Sequence, residues 1–489
     1  MLSMTLKLNE KNFEYDIYSL IRAFYPGAAI QIWYEGDEEP KGETDYQYEV
    51  IYEDDSVCFD IYQKGELVSH KRSRISADES RQEYKNYVKR LVYRSLVKQT
   101  GQTLPWGNLT GIRPTKIPMQ LLEEGKSNVE AALYMRDTYE VSAEKTALAI
   151  TIANRERHIL KDIDYEHGYS LYVGIPFCPS ICLYCSFGSH VLKQWAHMVD
   201  AYLDALCKEL TFISQKMTGW KLDTIYIGGG TPTTLEPAQL ERLLTHIQEN
   251  FPLHQVVEFT VEAGRPDTIT EDKLAVLRKF PVNRISINPQ TMNQKTLDLI
   301  GRKHSVEDVV EKFNLARKLG FDNINMDLIV GLPGEHSEEV AHTLEEMERL
   351  HPDSLTVHSL ALKRATRLNL FKDQYEEISF ENSAEIMKMT EDCARHMEMG
   401  PYYLYRQKNM AGNFENVGYS TVGKEGIYNI LIMEEKQTIL AAGAGASTKF
   451  VFEHGKRIER VENVKDLKNY VERIDEMLER KREGIGKYL

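Results

Sequence analysis

No stretch of about twenty consecutive apolar residues occurs in this chain, so a helical membrane span is not expected. Positive charge is also scarce. Sixty Lys and Arg stand against 74 Asp and Glu, a formal net charge of −14. A chain this acidic is not built to neutralise phosphates over a wide surface, so nucleic acid is not the expected partner. Met1 to Glu10 contains no cationic segment followed by an apolar one, so no secretory signal is expected and the cytoplasm is the expected location. Cysteine is sparse and uneven. There are six, and Cys178, Cys182 and Cys185 fall within eight residues, a distribution unlike the disulfide framework of a secreted domain.

What is present suffices for a large core. With 42% hydrophobic and 27% charged residues the composition is that of a globular protein, and 489 residues imply two or three domains. Residues 1–165 read as an α+β region. A short helix, Phe13–Ala23, precedes strand-like runs at Ala29–Tyr34, Tyr46–Tyr52 and Ser56–Tyr62, and helical patterns follow at Glu79–Lys98 and Val129–Leu160. The turn-rich segment Leu104–Thr115 between them reads as a packed connector.

Residues 166–365 have a different rhythm. Candidate strands at Ser170–Ile175, Thr224–Ile227, Val256–Glu262, Arg284–Asn288, Asn323–Ile329 and Ser354–His358 alternate with amphipathic segments. That alternation predicts βα units on a parallel sheet, curved part-way toward a TIM-like barrel as a partial (β/α)6 fold. Sites in such barrels lie at the C-terminal ends of the strands. Residues 366–489 read as a mixed extension: a helix at Phe380–Met399, a polar and aromatic stretch at Tyr402–Ser420, a small-residue turn at Leu440–Ser447, and a charged helix at Asp466–Arg482 expected on the solvated surface.

The segment Tyr172-Val173-Gly174-Ile175-Pro176-Phe177-Cys178-Pro179-Ser180-Ile181-Cys182-Leu183-Tyr184-Cys185 carries the chemistry. Its C-x3-C-x2-C spacing directly follows the first candidate barrel strand. Three thiolates on one tight loop can each take a different iron of one cubane cluster, leaving the fourth iron open. Zinc, completed by a distant fourth ligand, stays open as the alternative.

This motif in this position resembles the radical S-adenosylmethionine (radical SAM) superfamily. The fuller string, from Tyr172 to Cys178 with Tyr184-Cys185, is similar to the oxygen-independent coproporphyrinogen III oxidases, and within them to the coproporphyrinogen dehydrogenase group of anaerobic and facultative bacteria. The resemblance runs from about Ser170 to Phe450, and residues 1–165 look like that group's amino-terminal extension. It implies a 4Fe–4S cluster on Cys178, Cys182 and Cys185, and S-adenosylmethionine contacts at Tyr172, Tyr184, Gly229, Gly230, Thr231, Glu262, Gln290, Arg302 and Asp327. Gly228-Gly229-Gly230-Thr231-Pro232-Thr233 follows the second strand, Glu262 closes the third, Gln290 follows the fourth, and Asp327 lies on the fifth in Asn325-Met326-Asp327-Leu328.

The resemblance further implies a tetrapyrrole substrate, an electron donor such as flavodoxin or ferredoxin, and oxidative decarboxylation of two propionates of coproporphyrinogen III to vinyl groups. Propionates call for cationic anchors, and the candidates are Lys363, Arg364, Arg367, Arg406 and Lys408. Asn413-Phe414 and Gly418-Tyr419-Ser420-Thr421 are also similar to the oxidases. The related haem chaperones carry a His-Asn-x-x-Tyr-Trp string in that region, whereas no histidine lies between His396 and His454. The chain departs from the oxidase pattern at Gly174, where those enzymes have histidine, and at Phe187, where they have a further cysteine. A radical enzyme acting on another tetrapyrrole, such as haem, and a non-catalytic haem carrier are the rival readings.

Overall fold

Met4, Leu6 and Leu8 alternate into a core along the first strand, β1 (Ser3–Leu8), as a period of two requires. The computed structural model describes residues 2–40, 42, 44–75, 80–186, 188–361, 382–407 and 414–489, and they form two compact units, Met1–Asn154 and Arg155–Leu489. In the first unit β1 lies between two parallel neighbours, β2 (Ala29–Tyr34) and β3 (Tyr46–Tyr52). Two antiparallel strands, β4 (Ser56–Gln63) and β5 (Glu66–Arg74), complete a sheet ordered β2-β1-β3-β4-β5. Helix Glu14–Phe24 turns Ile17, Leu20, Ile21 and Phe24 onto it, and helix Arg81–Thr100 adds Val88, Val92 and Leu96.

The expected single helix over Val129–Leu160 is two, Asn128–Tyr139 and Ala143–Ile159. A tertiary contact breaks it. Asn108 N–H donates to the Tyr139 carbonyl at 2.8 Å, Ser142 N–H donates to Pro105 O at 3.0 Å, and Glu140 takes a left-handed φ of 56°. Gly107 fits only because it has no side chain, since a Cβ there would sit 2.1 Å from the Tyr139 carbonyl oxygen. Trp106 beside it is fully buried, as are Asn108 and Thr115, so much of Leu104–Thr115 is packed, while Gly111 and Ile112 are exposed.

The second unit is built on six parallel strands: β6 (Gly168–Ile175), β9 (Lys221–Gly229), β10 (Glu258–Gly264), β11 (Arg284–Ile287), β12 (Ile324–Val330) and β13 (Ser354–Ser359). Between β6 and β9 a minimal pair, β7 (Phe177–Cys178) and β8 (His190–Val191), forms its own small sheet. The six strands lie side by side in chain order, with helices Val199–Lys216, Pro237–Asn250, Glu271–Arg278, Val306–Lys318 and Ser337–Leu350 in the connections. This is the expected α/β arrangement.

The C-terminal segment extends the same sheet at both edges. β14 (Gly400–Tyr405) and β15 (Asn416–Ser420) add antiparallel beyond β13, where the sequence reads only as polar and aromatic. β16 (Thr438–Ala442) runs parallel to β6, and β17 (Ser447–Phe452) and β18 (Arg457–Glu462) follow antiparallel, giving eleven strands. The charged segment Asp466–Arg482 is not merely a solvated helix. It is two helices, Leu467–Glu472 and Ile474–Tyr488, with Tyr470, Met477 and Lys481 fully buried. Lys481 reaches the buried Glu209 carboxylate, which also accepts from Asn463, Tyr470 and the Gly443 amide. A buried lysine survives because this pair satisfies it.

Candidate functional site

The cysteine loop leaves the C-terminal end of β6 and is pinned at its base. Phe177 and Cys178 pair with His190 and Val191, and His190 N–H donates to Pro176 O at 2.7 Å. Farther along, Leu183 N–H donates to Ile300 O at 2.9 Å and the Ser180 hydroxyl to Gly301 O at 3.0 Å. Leu183 itself is buried among Leu297, Ile300, Leu332 and Leu360. Cys182 is buried, and Cys178 and Cys185 are half-buried. Burial pushes the Cys178 thiol up in pKa, partly opposed by hydrogen bonds from Thr231 and Ser189.

The segment after β9 braces this loop. Gly230 N–H donates to Ile175 O at 2.8 Å, Thr231 N–H to Phe177 O at 2.7 Å, and the Thr231 hydroxyl to Cys178 Sγ at 3.7 Å. A Cβ on Gly230 would stand 2.5 Å from Phe177 O and 2.9 Å from Ile175 O. The amides of Gly230 and Thr231 are thus engaged by the cysteine loop, and the Gly229 amide faces the Glu262 carboxylate.

The register of the parallel strands lines polar side chains along one face. Tyr172 is opposite Tyr226, Tyr226 opposite Thr260, Glu262 opposite Ser286, Ser286 opposite Asn325, and Asp327 opposite Thr356. Tyr172 stacks on Tyr226 at 6.3 Å, and Tyr226 on Tyr428 at 4.5 Å. The Tyr226 hydroxyl donates to Glu262 Oε1 at 2.5 Å. Burial pushes the Glu262 carboxyl up to about 7 and the Asp327 charge adds to this, while the Tyr226 and Gly229 hydrogen bonds oppose it. Asp327 goes the other way. Burial works to raise it, but hydrogen bonds from His358, Asn325 and Thr356 outweigh burial and hold it below the usual carboxylate value. The Asn325 amide lies 2.7 Å from Asp327 Oδ1, and His358 Nε2 lies 3.8 Å from Oδ2.

Two expected contact residues carry buried polar atoms with no hydrogen-bond partner: Gln290 at Oε1 and Arg302 at Nε. Gln290 has a left-handed φ of 71°, fixed by its N–H to Asp327 O at 3.0 Å and by Ile329 N–H to its carbonyl at 2.9 Å. Arg302 donates to the Tyr184 hydroxyl at 3.1 Å and to Asn288 O. The structure therefore groups Tyr172, Gly229, Glu262 and Asp327 on the strand face, Thr231 with Cys178, and Tyr184 with Arg302 below the loop. Gln290 joins Asp327 through its backbone, and its side-chain oxygen accepts a hydrogen bond from none of them.

Sequence reasoning missed Tyr226, His358 and Arg265. The first two sit at i, i+2 positions that put them on the polar face, which was the available signal. Arg265 follows β10 and had none. Of the candidate substrate anchors, Arg406 is buried beside Glu415, with burial pulling it down to about 10, so it is no solvated surface charge. Lys363, Arg364, Arg367 and Lys408 lie outside the described residues, as do Phe187 and Asn413.

A family model described as the radical SAM superfamily matches residues 172–347. The chain is 43% identical over 411 residues to the oxygen-independent coproporphyrinogen-III oxidase-like protein HemZ of Bacillus subtilis, covering 82% of this chain and 81% of the relative. It is 34% identical to the heme chaperone HemW of the same organism, covering 63% of this chain and 76% of that protein. Among solved structures it is similar to Escherichia coli coproporphyrinogen III oxidase (HemN), described as a radical SAM enzyme. That match has a TM-score of 0.52 and 28% identity, over 64% of this chain and 70% of that one.

Proposed function

Because the chain belongs to the radical SAM superfamily and works with a 4Fe–4S cluster and S-adenosylmethionine, we propose that it is an oxygen-independent coproporphyrinogen III oxidase of the dehydrogenase type. It converts two propionates of coproporphyrinogen III to vinyl groups and yields protoporphyrinogen IX. The observation that carries this reading is the pinned three-cysteine loop at the end of β6, beside a polar strand face that ends in Glu262 and Asp327.

The residues present fit the cofactors. Cys178, Cys182 and Cys185 share one loop, Cys182 buried and the other two half-buried. A zinc ion needs its sulfurs in one shell with bonds of about 2.3 Å, whereas a cubane takes each thiolate on a separate iron. The unpartnered Gln290 Oε1 and Arg302 Nε are buried polar atoms of the kind a ligand satisfies.

When bound, the cluster and S-adenosylmethionine supply one-electron cleavage of a sulfonium and hence a carbon-centred radical that takes a hydrogen atom. The chain holds and orients. Cys178, Cys182 and Cys185 ligate the irons. Glu262, ionised or sharing its proton near neutral pH, accepts from the cofactor's ammonium, and Gly229 and Gly230 let the backbone approach. Asp327, kept ionised by Asn325 and His358, accepts from the ribose hydroxyls. Arg302, Gln290, Tyr172, Tyr184 and Thr231 complete the contacts. The stack of Tyr172, Tyr226 and Tyr428 lines the face against water. Each propionate loses one hydrogen atom, carbon dioxide and one electron, so an external acceptor takes the electron while a flavodoxin or ferredoxin feeds the cluster. Arg406, with Lys363, Arg364, Arg367 and Lys408, supplies cations for the substrate carboxylates. Among the described residues no helix is long and apolar enough to cross a membrane.

The test is anaerobic turnover: the cluster is reconstituted, dithionite, S-adenosylmethionine and coproporphyrinogen III are added, and products are followed by mass spectrometry. Loss of two carbon dioxide units with matching 5′-deoxyadenosine is the expected result. Deoxyadenosine without decarboxylation would assign the radical chemistry to another tetrapyrrole such as haem. Tight haem binding without cofactor cleavage would make the chain a carrier like the haem chaperones it resembles.

A further inference from the structure

The cysteine loop rests on a buried guanidinium that none of the contacts above uses. Arg265 is the residue after β10 and is only 4% exposed. One edge of its fork is locked by Asp267, with Nε and one terminal nitrogen donating to the two carboxylate oxygens at 2.9 and 2.7 Å. A bidentate pair of this kind fixes the plane of the guanidinium. The remaining nitrogen, Nη1, is thereby aimed at the loop. It donates to the Ser180 hydroxyl at 2.7 Å, approaches Ser180 O at 3.3 Å, and reaches Cys182 Sγ at 3.9 Å.

The surrounding charges make this contact consequential. Asp267 faces Arg265 on one side and His304 on the other, the latter at 3.9 Å. His304 is buried, and burial followed by the neighbouring Arg302 charge pushes its pKa down to about 3, so the ring is neutral. Beneath the loop the cations Arg265 and Arg302 stand with the anions Asp267 and, next to His304, Asp308, and of these four it is Arg265 that reaches Cys182 Sγ. A 4Fe–4S cluster on three thiolates is negative and gains a further negative charge on reduction. In a poorly solvated site a nearby fixed cation stabilises the more negative state more strongly. Hydrogen bonds to the cluster's sulfurs act in the same direction.

We propose that Arg265, oriented by Asp267, is a positioning residue that donates to the Cys182 sulfur and raises the reduction potential of the cluster. The inference rests on the reading of Cys182 as a cluster ligand. The rival is a purely structural staple acting through Ser180, which would affect how much cluster the chain retains without moving its potential.

The full chain and its Arg265→Met, Arg265→Lys and Asp267→Asn variants are reconstituted anaerobically with ferrous iron and sulfide, without S-adenosylmethionine. Iron and acid-labile sulfide are counted, and the midpoint potential is read by redox titration followed by electron paramagnetic resonance. Arg265→Met is expected to lower the potential by the equivalent of about tenfold in the one-electron equilibrium, roughly 59 mV. Arg265→Lys recovers part of that. Asp267→Asn removes one arm of the bidentate lock together with the opposing charge, so its potential departs from the wild-type value. Equal potentials in all four proteins would overturn the inference while leaving the cluster reading intact. If Arg265→Met retains no cluster, Arg265→Lys decides alone: a potential below that of the wild type supports the inference, and an unchanged or higher value overturns it. A wild-type chain that holds no 4Fe–4S cluster would instead sink the cysteine reading itself.

Discussion

Glu262→Gln isolates the electrostatics of the candidate site in one atom. The carboxyl is half-buried at the end of β10, and burial first, then the Asp327 charge, raise it from 4.5 to about 7. The folded chain therefore holds this proton more tightly than the unfolded chain does. Stability from this group is fully present below about pH 4.5 and is lost as pH rises through 7. The difference of about 2.5 units corresponds to about 3 kcal/mol at 1.36 kcal/mol per unit. Gln keeps an acceptor for Tyr226 and Gly229 but cannot ionise, so the variant lacks that slope.

Urea unfolding of both proteins at pH 4.5 and pH 8 reads the effect, and other carboxylates cancel in the comparison. Near-equal stability at pH 4.5 and an advantage of about 3 kcal/mol for the variant at pH 8 are expected. A gap that does not change with pH would refute the assigned environment. Equilibrium dialysis against S-adenosylmethionine supplies the functional arm. The ionised carboxylate attracts an ammonium that Gln cannot, so the variant should bind about tenfold more weakly at pH 8, one charge-assisted hydrogen bond being worth about 1.5 kcal/mol or more.

Gly230→Ala drives a methyl group against two carbonyls of the cysteine loop, so it should cost about 1–3 kcal/mol and lower cluster retention. Gly486→Ala, with nothing within 4 Å, serves as the control, and equal iron content in both would argue against the bracing contact. Lys481→Met strands the buried Glu209 charge and should cost about 3–5 kcal/mol, with most of it recovered in the Glu209→Gln/Lys481→Met double variant. Thermal unfolding in which the single and double variants lose equally would refute that pairing. Gln290→Gly keeps the left-handed backbone and removes the side chain, so unfolding free energy should stay within about 1 kcal/mol while S-adenosylmethionine binding weakens, and unchanged binding would remove Gln290 from the contacts.

The strands of the parallel core were legible because short apolar runs bounded by turns are what such strands require. β9 runs past both expected ends, through Lys221–Asp223 and Gly228–Gly229, and β10 starts two residues later and ends two later than expected, at Glu258 and Gly264. Two strands of the first unit were missed for different reasons. β1 carries the period-two alternation of Met4, Leu6 and Leu8 and was overlooked, whereas β5 is an edge strand whose charges match the protection that edges need but not the composition of a buried strand. The helix break at Glu140 could not be read locally, because the periodicity continues across it and the break is imposed by Asn108 and Pro105, more than thirty residues earlier. Asp466–Arg482 misled by charge count: one lysine among many charges is buried, and its partner Glu209 lies 272 positions away.

The candidate site was legible to the extent that its residues sit in the strands themselves. The interior of a parallel barrel is usually layered with apolar side chains, and polar groups facing it must find partners or lose about 1–3 kcal/mol each. Most of them do. Asn325 alone donates to Ser286 and Asp327 and accepts from Ser354 and Thr356. Such a ladder is self-sufficient and would by itself argue only for a polar core. The exceptions carry the weight. Gln290 Oε1 and Arg302 Nε are buried without partners, and Gln290 also holds a left-handed backbone. Both residues occupy positions that the sequence motifs had already marked for cofactor contact. Gln290 Oε1 and Arg302 Nε are thus open to a polar ligand, as are other unpaired buried atoms of the chain, and S-adenosylmethionine binding to Gln290→Gly is what separates the two cases.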